Sequence, residues 1–151
     1  MTTAGITDGA AIRTESNVEQ AVPFFSVWDI QESLRFYVDG LGFTTTKQWV
    51  DEGQLRWCWL ERGGAALMLQ EFWREGPHRN VPESTVGIGV SINFICKDAL
   101  ALYREFTARG IAAERPFVGN SMWVTEVVDP DGYRLFFESP TDVDEETEFS
   151  G

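Results

Sequence analysis

Few side chains in this 151-residue chain could do chemistry, and most of those sit at every second position of short apolar runs. Trp57 and Trp59 bracket Cys58 in "LRWCWL". Ser91 and Asn93 alternate with apolar residues in "VSINFIC", and Arg134, Phe136 and Glu138 alternate through "YRLFFES". Residues i and i+2 of a strand face the same way, so each set shares a face. Polar side chains spaced like this in an apolar strand need hydrogen-bonding partners or a wet cavity. Indole faces beside Glu138, Glu126 or Glu71 would welcome a cation. A carboxylate in an apolar cleft can also have a raised pKa and act as a general base. Glu138 and Glu126 are the candidates for that role, with Arg134 or Asn93 steadying an anionic intermediate. The blander reading makes Arg134 and Glu138 an ordinary surface pair of little energetic value.

No constellation in the sequence completes such a reaction. It has no Ser-His-Asp set, no P-loop and no GxGxxG after a strand. The one histidine, His78, falls in the polar "GPHRN" and reads as a solvated loop residue. Cys58 and Cys96 lie in apolar, strand-like runs and read as structural thiols. Without a CxxC or a dense framework they indicate neither a zinc knuckle nor a secreted disulfide scaffold.

The elements that must position these residues follow a repeated pattern. "VPFFSV" reads as a strand, and "DIQESLRFYVDGLGF" as a helix capped by Asp29, with Glu32 as a capping-box partner and Gly40 and Gly42 as its stop. "TTTKQWVD", "QLRWCWLERG" and "AALMLQEF" are β-rich and separated by "DEG" and "RGG" turn signals. After the polar "WREGPHRNVPESTVG" the pattern restarts with "VSINFIC", the helix "KDALALYREFTARGI" capped by Asp98, and three more strands ending in "YRLFFES". Two β-α-β-β-β units explain this spacing. The expected organisation is a flexible N-terminal segment over 1–20, a first module over 21–72, a linker over 73–87, a second module over 88–140 and an acidic, solvated tail over 141–151.

The net charge is −12, but five acids without a base lie in 141–151, and three acids with one arginine lie in 1–20. The acidity therefore sits mainly in the expected tails, which repel nucleic acid and aid solubility. No apolar run reaches the roughly 20 residues that span a bilayer, and the first residues lack a signal peptide's basic and apolar regions. A cytoplasmic protein with no nucleic-acid or membrane partner is expected.

Over residues of about 21–140, "VWDIQESLRFYVDGLGF", its echo "CKDALALYREFTARGI" and "VVDPDGYRLFFESP" resemble the vicinal oxygen chelate superfamily of glyoxalase I, extradiol dioxygenases and bleomycin-resistance proteins. The resemblance implies an α+β fold of two βαβββ modules forming a curved mixed sheet around a cleft, and a homodimer with residues of both chains at each cleft. It also implies four inward positions that hold metal ligands in the enzymes, and these fall here on Val22, Met68, Ser91 and Phe136. None offers the imidazole or carboxylate that a divalent metal needs. Alternation from these positions adds Phe24 and Ser26, Gln70 and Phe72, Asn93, and Arg134 with Glu138 to the cleft wall. Trp57 and Trp59 share a face of a neighbouring strand, and Trp123 lies with Thr125.

The expected site is thus a ligand-binding wall of Phe24, Trp57, Trp59, Met68, Gln70, Ser91, Asn93, Trp123, Arg134, Phe136 and Glu138, with no catalytic residue, metal or cofactor. It suits a flat aromatic, partly cationic small molecule, sequestered as in the bleomycin-resistance relatives. Two other readings stand beside it. One is a metal-dependent lyase, isomerase or dioxygenase in which Gln70, Glu138 and His78 converge on an ion. The other is an accessory module whose cleft is packed shut by Phe24, Trp57 and Phe136.

Overall fold

A computed structural model describes residues 16–151; most of the expected N-terminal segment lies outside the described residues. The first half runs β1 (Phe24–Val27), α1 (Ile30–Leu34) continuing into a π-helical turn (Arg35–Gly40), β2 (Thr44–Asp51), β3 (Gln54–Arg62) and β4 (Ala65–Glu71). The second runs β5 (Ser91–Ile95), α2 (Ala99–Ala108), β6 (Phe117–Gly119), β7 (Met122–Val128) and β8 (Arg134–Pro140). The strands form two four-stranded mixed sheets, ordered β1-β4-β3-β2 and β5-β8-β7-β6, the paired βαβββ architecture. No helix among the described residues is long and apolar enough to cross a membrane.

Both helices start where a side-chain carboxylate meets free backbone N–H groups. Asp29 accepts from Gln31 and Glu32 at 3.0 and 3.2 Å, and Asp98 from Ala101 at 2.9 Å. The Ile30 N–H is taken by Glu71 Oε2 of β4, which fastens α1 to its sheet.

One face of each sheet lies against its helix and supplies the core. Phe25, Val27, Cys58, Leu60, Leu67 and Leu69 come from the first sheet and Val127, Leu135 and Phe137 from the second, and with Tyr37, Leu41, Phe43 and Phe106 they form a single cluster. Two modules too small to bury enough surface separately share one core.

The seam between modules is specific. Tyr133, just before β8, stacks on Phe25 with ring centroids 4.2 Å apart, and its hydroxyl donates to Ser26 O at 2.8 Å. Tyr37 donates to the buried Asp129 Oδ2 at 2.8 Å, while Asp129 Oδ1 accepts the backbone N–H groups of Asp131 and Tyr133. Burial pushes the Asp129 carboxyl and the Tyr37 phenol up from their ordinary values. Farther along, Arg62 bonds both carboxylate oxygens of Glu105 and the Leu41 carbonyl.

The acidic tail is not a free solvated end. Val118 N–H donates to Thr147 O and Glu146 N–H to Val118 O, so the tail runs along β6, the edge strand of the second sheet. Glu145 accepts the N–H groups of Asn120 and Ser121, both in the left-handed region. Phe149 packs edge-on against Tyr103 and Trp123 under the Arg104 guanidinium. One aromatic residue among five acids anchors the segment and covers an edge that would otherwise expose unpaired backbone.

Candidate functional site

Strand register places the side chains of the faces turned away from the helices. In the first sheet one rung reads Phe24, Met68, Trp59, Lys47 across β1, β4, β3 and β2, and the next reads Ser26, Gln70, Trp57, Trp49. The register therefore puts Trp57 and Trp59 on one face beside a thioether, an amide and an ammonium, with Trp49 opposite Trp57 on the edge strand, where its ring meets that of Trp73 at 6.3 Å. Lys47 Nζ stands 4.9 Å from the Trp59 ring centroid, so the chain's own cation already occupies the position expected for a ligand's. Trp59 Nε1 is buried with no hydrogen-bond partner among the described residues.

The matching face of the second sheet is half polar. Its rungs read Ser91, Arg134, Val128; then Asn93, Phe136, Glu126; then Ile95, Glu138, Val124, Phe117. Asn93 Nδ2 donates to Glu138 Oε1 at 3.0 Å, and Arg134 donates to Glu126 Oε2 at 2.6 Å. Arg134 and Glu138 thus flank Phe136 with different partners and do not pair with each other. Glu71 cannot serve either face, because its carboxylate is held on the helix side by Arg56 and the Ile30 N–H.

Of the eleven residues expected on the wall, Phe24, Trp57, Trp59, Met68 and Gln70 share the first face, and Ser91, Asn93, Arg134, Phe136 and Glu138 share the second. Trp123 is the exception. It pairs with Ser139 and Val118 on the α2 side of the second sheet, where Thr125 and Ser139 bond the Ala99 backbone, and its ring meets Phe149. Sequence reasoning missed Trp49 and Lys47. A bulge between Thr45 and Lys47 shifts the β2 register by one residue, so simple alternation from the strand start puts them on the wrong side.

Phe24 is 50 % exposed and Ile95 71 %, and among the described residues no hydrogen bond or ring pair joins the indole face to the Asn93–Glu138 face. Phe24, Trp57 and Phe136 therefore do not pack a cleft shut.

The four positions that the sequence resemblance marks for metal ligands carry no donor set for one. Val22 and Phe136 offer no lone pair, Met68 only a weak thioether, and Ser91 a neutral hydroxyl, which does not fit a divalent ion. No group of three or more His, Cys, Asp or Glu side chains that could hold a metal occurs among the described residues. Gln70 and Glu138 sit on different sheets, and His78 is exposed in the segment joining the modules.

Solved structures share this architecture. TnmS3, an antibiotic binding protein from Streptomyces sp. CB03234, superposes with a TM-score of 0.60 at 20 % identity, covering 84 % of this chain and 100 % of that one. TioX from Micromonospora sp. ML1 gives 0.58 at 19 % identity, covering 83 % and 99 %. A glyoxalase/bleomycin resistance protein/dioxygenase from Nocardioides gives 0.61 at 17 % identity, covering 89 % and 93 %. Among curated proteins none matches the sequence. Residues 20–137 match the model of the Glyoxalase/Bleomycin resistance protein/Dioxygenase superfamily, and the chain belongs to that superfamily.

Proposed function

We propose that the protein is a metal-free binding protein that sequesters a flat aromatic small molecule, with no bond made or broken. The observation that carries this reading is the register that puts Trp57 and Trp59 on one open sheet face, with Trp49 opposite Trp57 on the edge strand. The side chains at the superfamily's ligand positions, which cannot hold a divalent ion, support the metal-free part. The indoles of this face offer stacking area at low conformational cost, and the Gln70 amide gives sparse orientation. A cationic group on the ligand would belong against Glu138 and Glu126 rather than on Trp59, whose face Lys47 already covers. TnmS3, described as an antibiotic binding protein, makes an antibiotic-like ligand and a resistance role the natural expectation.

A homodimer completes the site in this reading. Each chain offers an aromatic face and a polar, acidic face that it does not close on itself, so a second copy would lay its Asn93–Glu138 face over the indoles. The exposed Phe24 and Ile95 give such a contact apolar surface to bury. A reducing, cytosolic setting suits Cys58 and Cys96, which stand as free thiols.

The test is elemental analysis and light scattering on protein purified without chelator or affinity tag. The reading expects no stoichiometric metal and a mass of two chains. About one Zn, Ni, Mn or Fe per chain would overturn the metal-free part, and a monomer at micromolar concentration would overturn the composite site.

A further inference from the structure

A second site lies at the module seam, away from the tryptophans. The internal repeat defines it. Phe25 stands four residues before the cap Asp29, and Phe94 four before the cap Asp98. Met68 pairs with Phe24 and Phe136 with Asn93, so three residues upstream Ala65 is the counterpart of Tyr133. In one half of the seam the Tyr133 ring stacks on Phe25 at 4.2 Å and 9°, and its hydroxyl reaches Ser26 O on the open edge of β1. In the other half Ala65 supplies no ring.

What remains there is a groove of about 1120 Å³, lined by Phe43, Phe94, Phe137, Leu102 and Ala65 among others. Phe94 is stacked on Phe137 at 4.8 Å and met edge-on by Phe43 at 6.0 Å. The counterpart of Ser26 is Ile95. Cys96 N–H donates to Glu138 O toward β8, so by strand alternation the carbonyl of Ile95 points out of the open edge of β5. The groove therefore repeats the seat of Tyr133, with an aromatic floor and a free carbonyl, but without the tyrosine.

We propose that this groove binds a small phenol, its ring against the Phe94 cluster and its hydroxyl donating to the β5 edge. The chain's own Tyr133 is the template for ring placement and for the polarity of the hydrogen bond. The groove lies off the Trp57–Trp59 face and shares only the β5 residues Asn93 and Ile95 with the polar face. Gly63 and Gly64, at the β3–β4 turn beside Ala65, leave the groove open at its rim.

The test titrates p-cresol and toluene into the full chain and follows side-chain methyl and indole NMR signals. The inference expects p-cresol to shift the methyls of Ala65, Ala101 and Leu102, and toluene to bind about threefold to tenfold more weakly for want of the hydroxyl. Ala65→Tyr should fill the groove as Tyr133 fills its own and weaken p-cresol binding at least tenfold. Ala65→Leu provides a smaller filler should the first variant not fold. Unchanged p-cresol binding in a folded filler variant would overturn the site, as would shifts confined to the Trp57 and Trp59 indoles. Equal binding of toluene would overturn the phenol assignment. A change of oligomeric state in Ala65→Tyr would overturn it in favour of a contact between copies.

Discussion

Tyr37→Phe removes one oxygen from the contact that orients the two modules, and the structure lets its cost be worked out. Tyr37 is fully buried, and its rings of contact (Phe25, Phe36 and Phe43 at centroid distances of 6.4, 5.1 and 6.1 Å) survive the substitution, so no large cavity forms. The loss is the 2.8 Å hydrogen bond to Asp129 Oδ2. Oδ1 keeps its two backbone N–H partners, which leaves one buried carboxylate oxygen unpaired. A hydrogen bond to a charged group contributes about 1.5–3 kcal/mol, so a loss of about 2 kcal/mol is expected. For a chain of this size that corresponds to a fall in Tm of about 4–8 °C. Urea unfolding followed by tryptophan fluorescence should show a lower midpoint at unchanged slope. A loss below about 0.5 kcal/mol would refute the reasoning, because it would mean the buried pair does not hold the seam. A changed slope would place the effect in the unfolded chain rather than in this contact.

Other outcomes follow from the same geometry. Burial raises the Asp129 pKa, so the folded protein binds a proton more readily than the unfolded chain there. Its wild-type stability should rise relative to Asp129→Asn as pH falls from 7 through the raised value, and level off below the unfolded one. Glu105 is shifted the other way by its hydrogen bond from Arg62, so its contribution is present at neutral pH and lost as pH falls through the lowered value. Glu105→Gln should abolish that acid-side loss, a change of about 0.5–1 kcal/mol given partial solvent screening, measured by chemical denaturation across pH. Phe149→Ala should cost about 1–2 kcal/mol through lost ring contacts and raise hydrogen exchange along β6, whose edge the tail covers.

Much of this architecture is legible in the chain because its signals are local. Asp29 and Asp98 cap the two helices, alternation in "LRWCWL" and "YRLFFES" assigns the sheet faces, and the repeat fixes the module order. What stays hidden depends on contacts far apart in sequence or on small irregularities. The Tyr133–Ser26 bond spans 107 positions. The β2 bulge conceals Trp49 and Lys47, and without them the indole face reads as two tryptophans and admits a cation that Lys47 displaces. The tail's composition says solvent, and only Phe149 hints at docking. Trp123 shows the limit of alternation, which gives a shared face with Thr125 but not the side on which the helix lies.

The most direct test is a titration of 9-aminoacridine, a planar tricyclic probe, followed by the indole Nε1–H signals of all six tryptophans before and after exhaustive EDTA treatment. The account predicts shifts at Trp49, Trp57 and Trp59, none at Trp123, and the same affinity with and without chelator. It also predicts that Trp57→Ala weakens binding about tenfold or more. Silent indoles at those three positions, or binding that EDTA abolishes and a divalent metal restores, would contradict it.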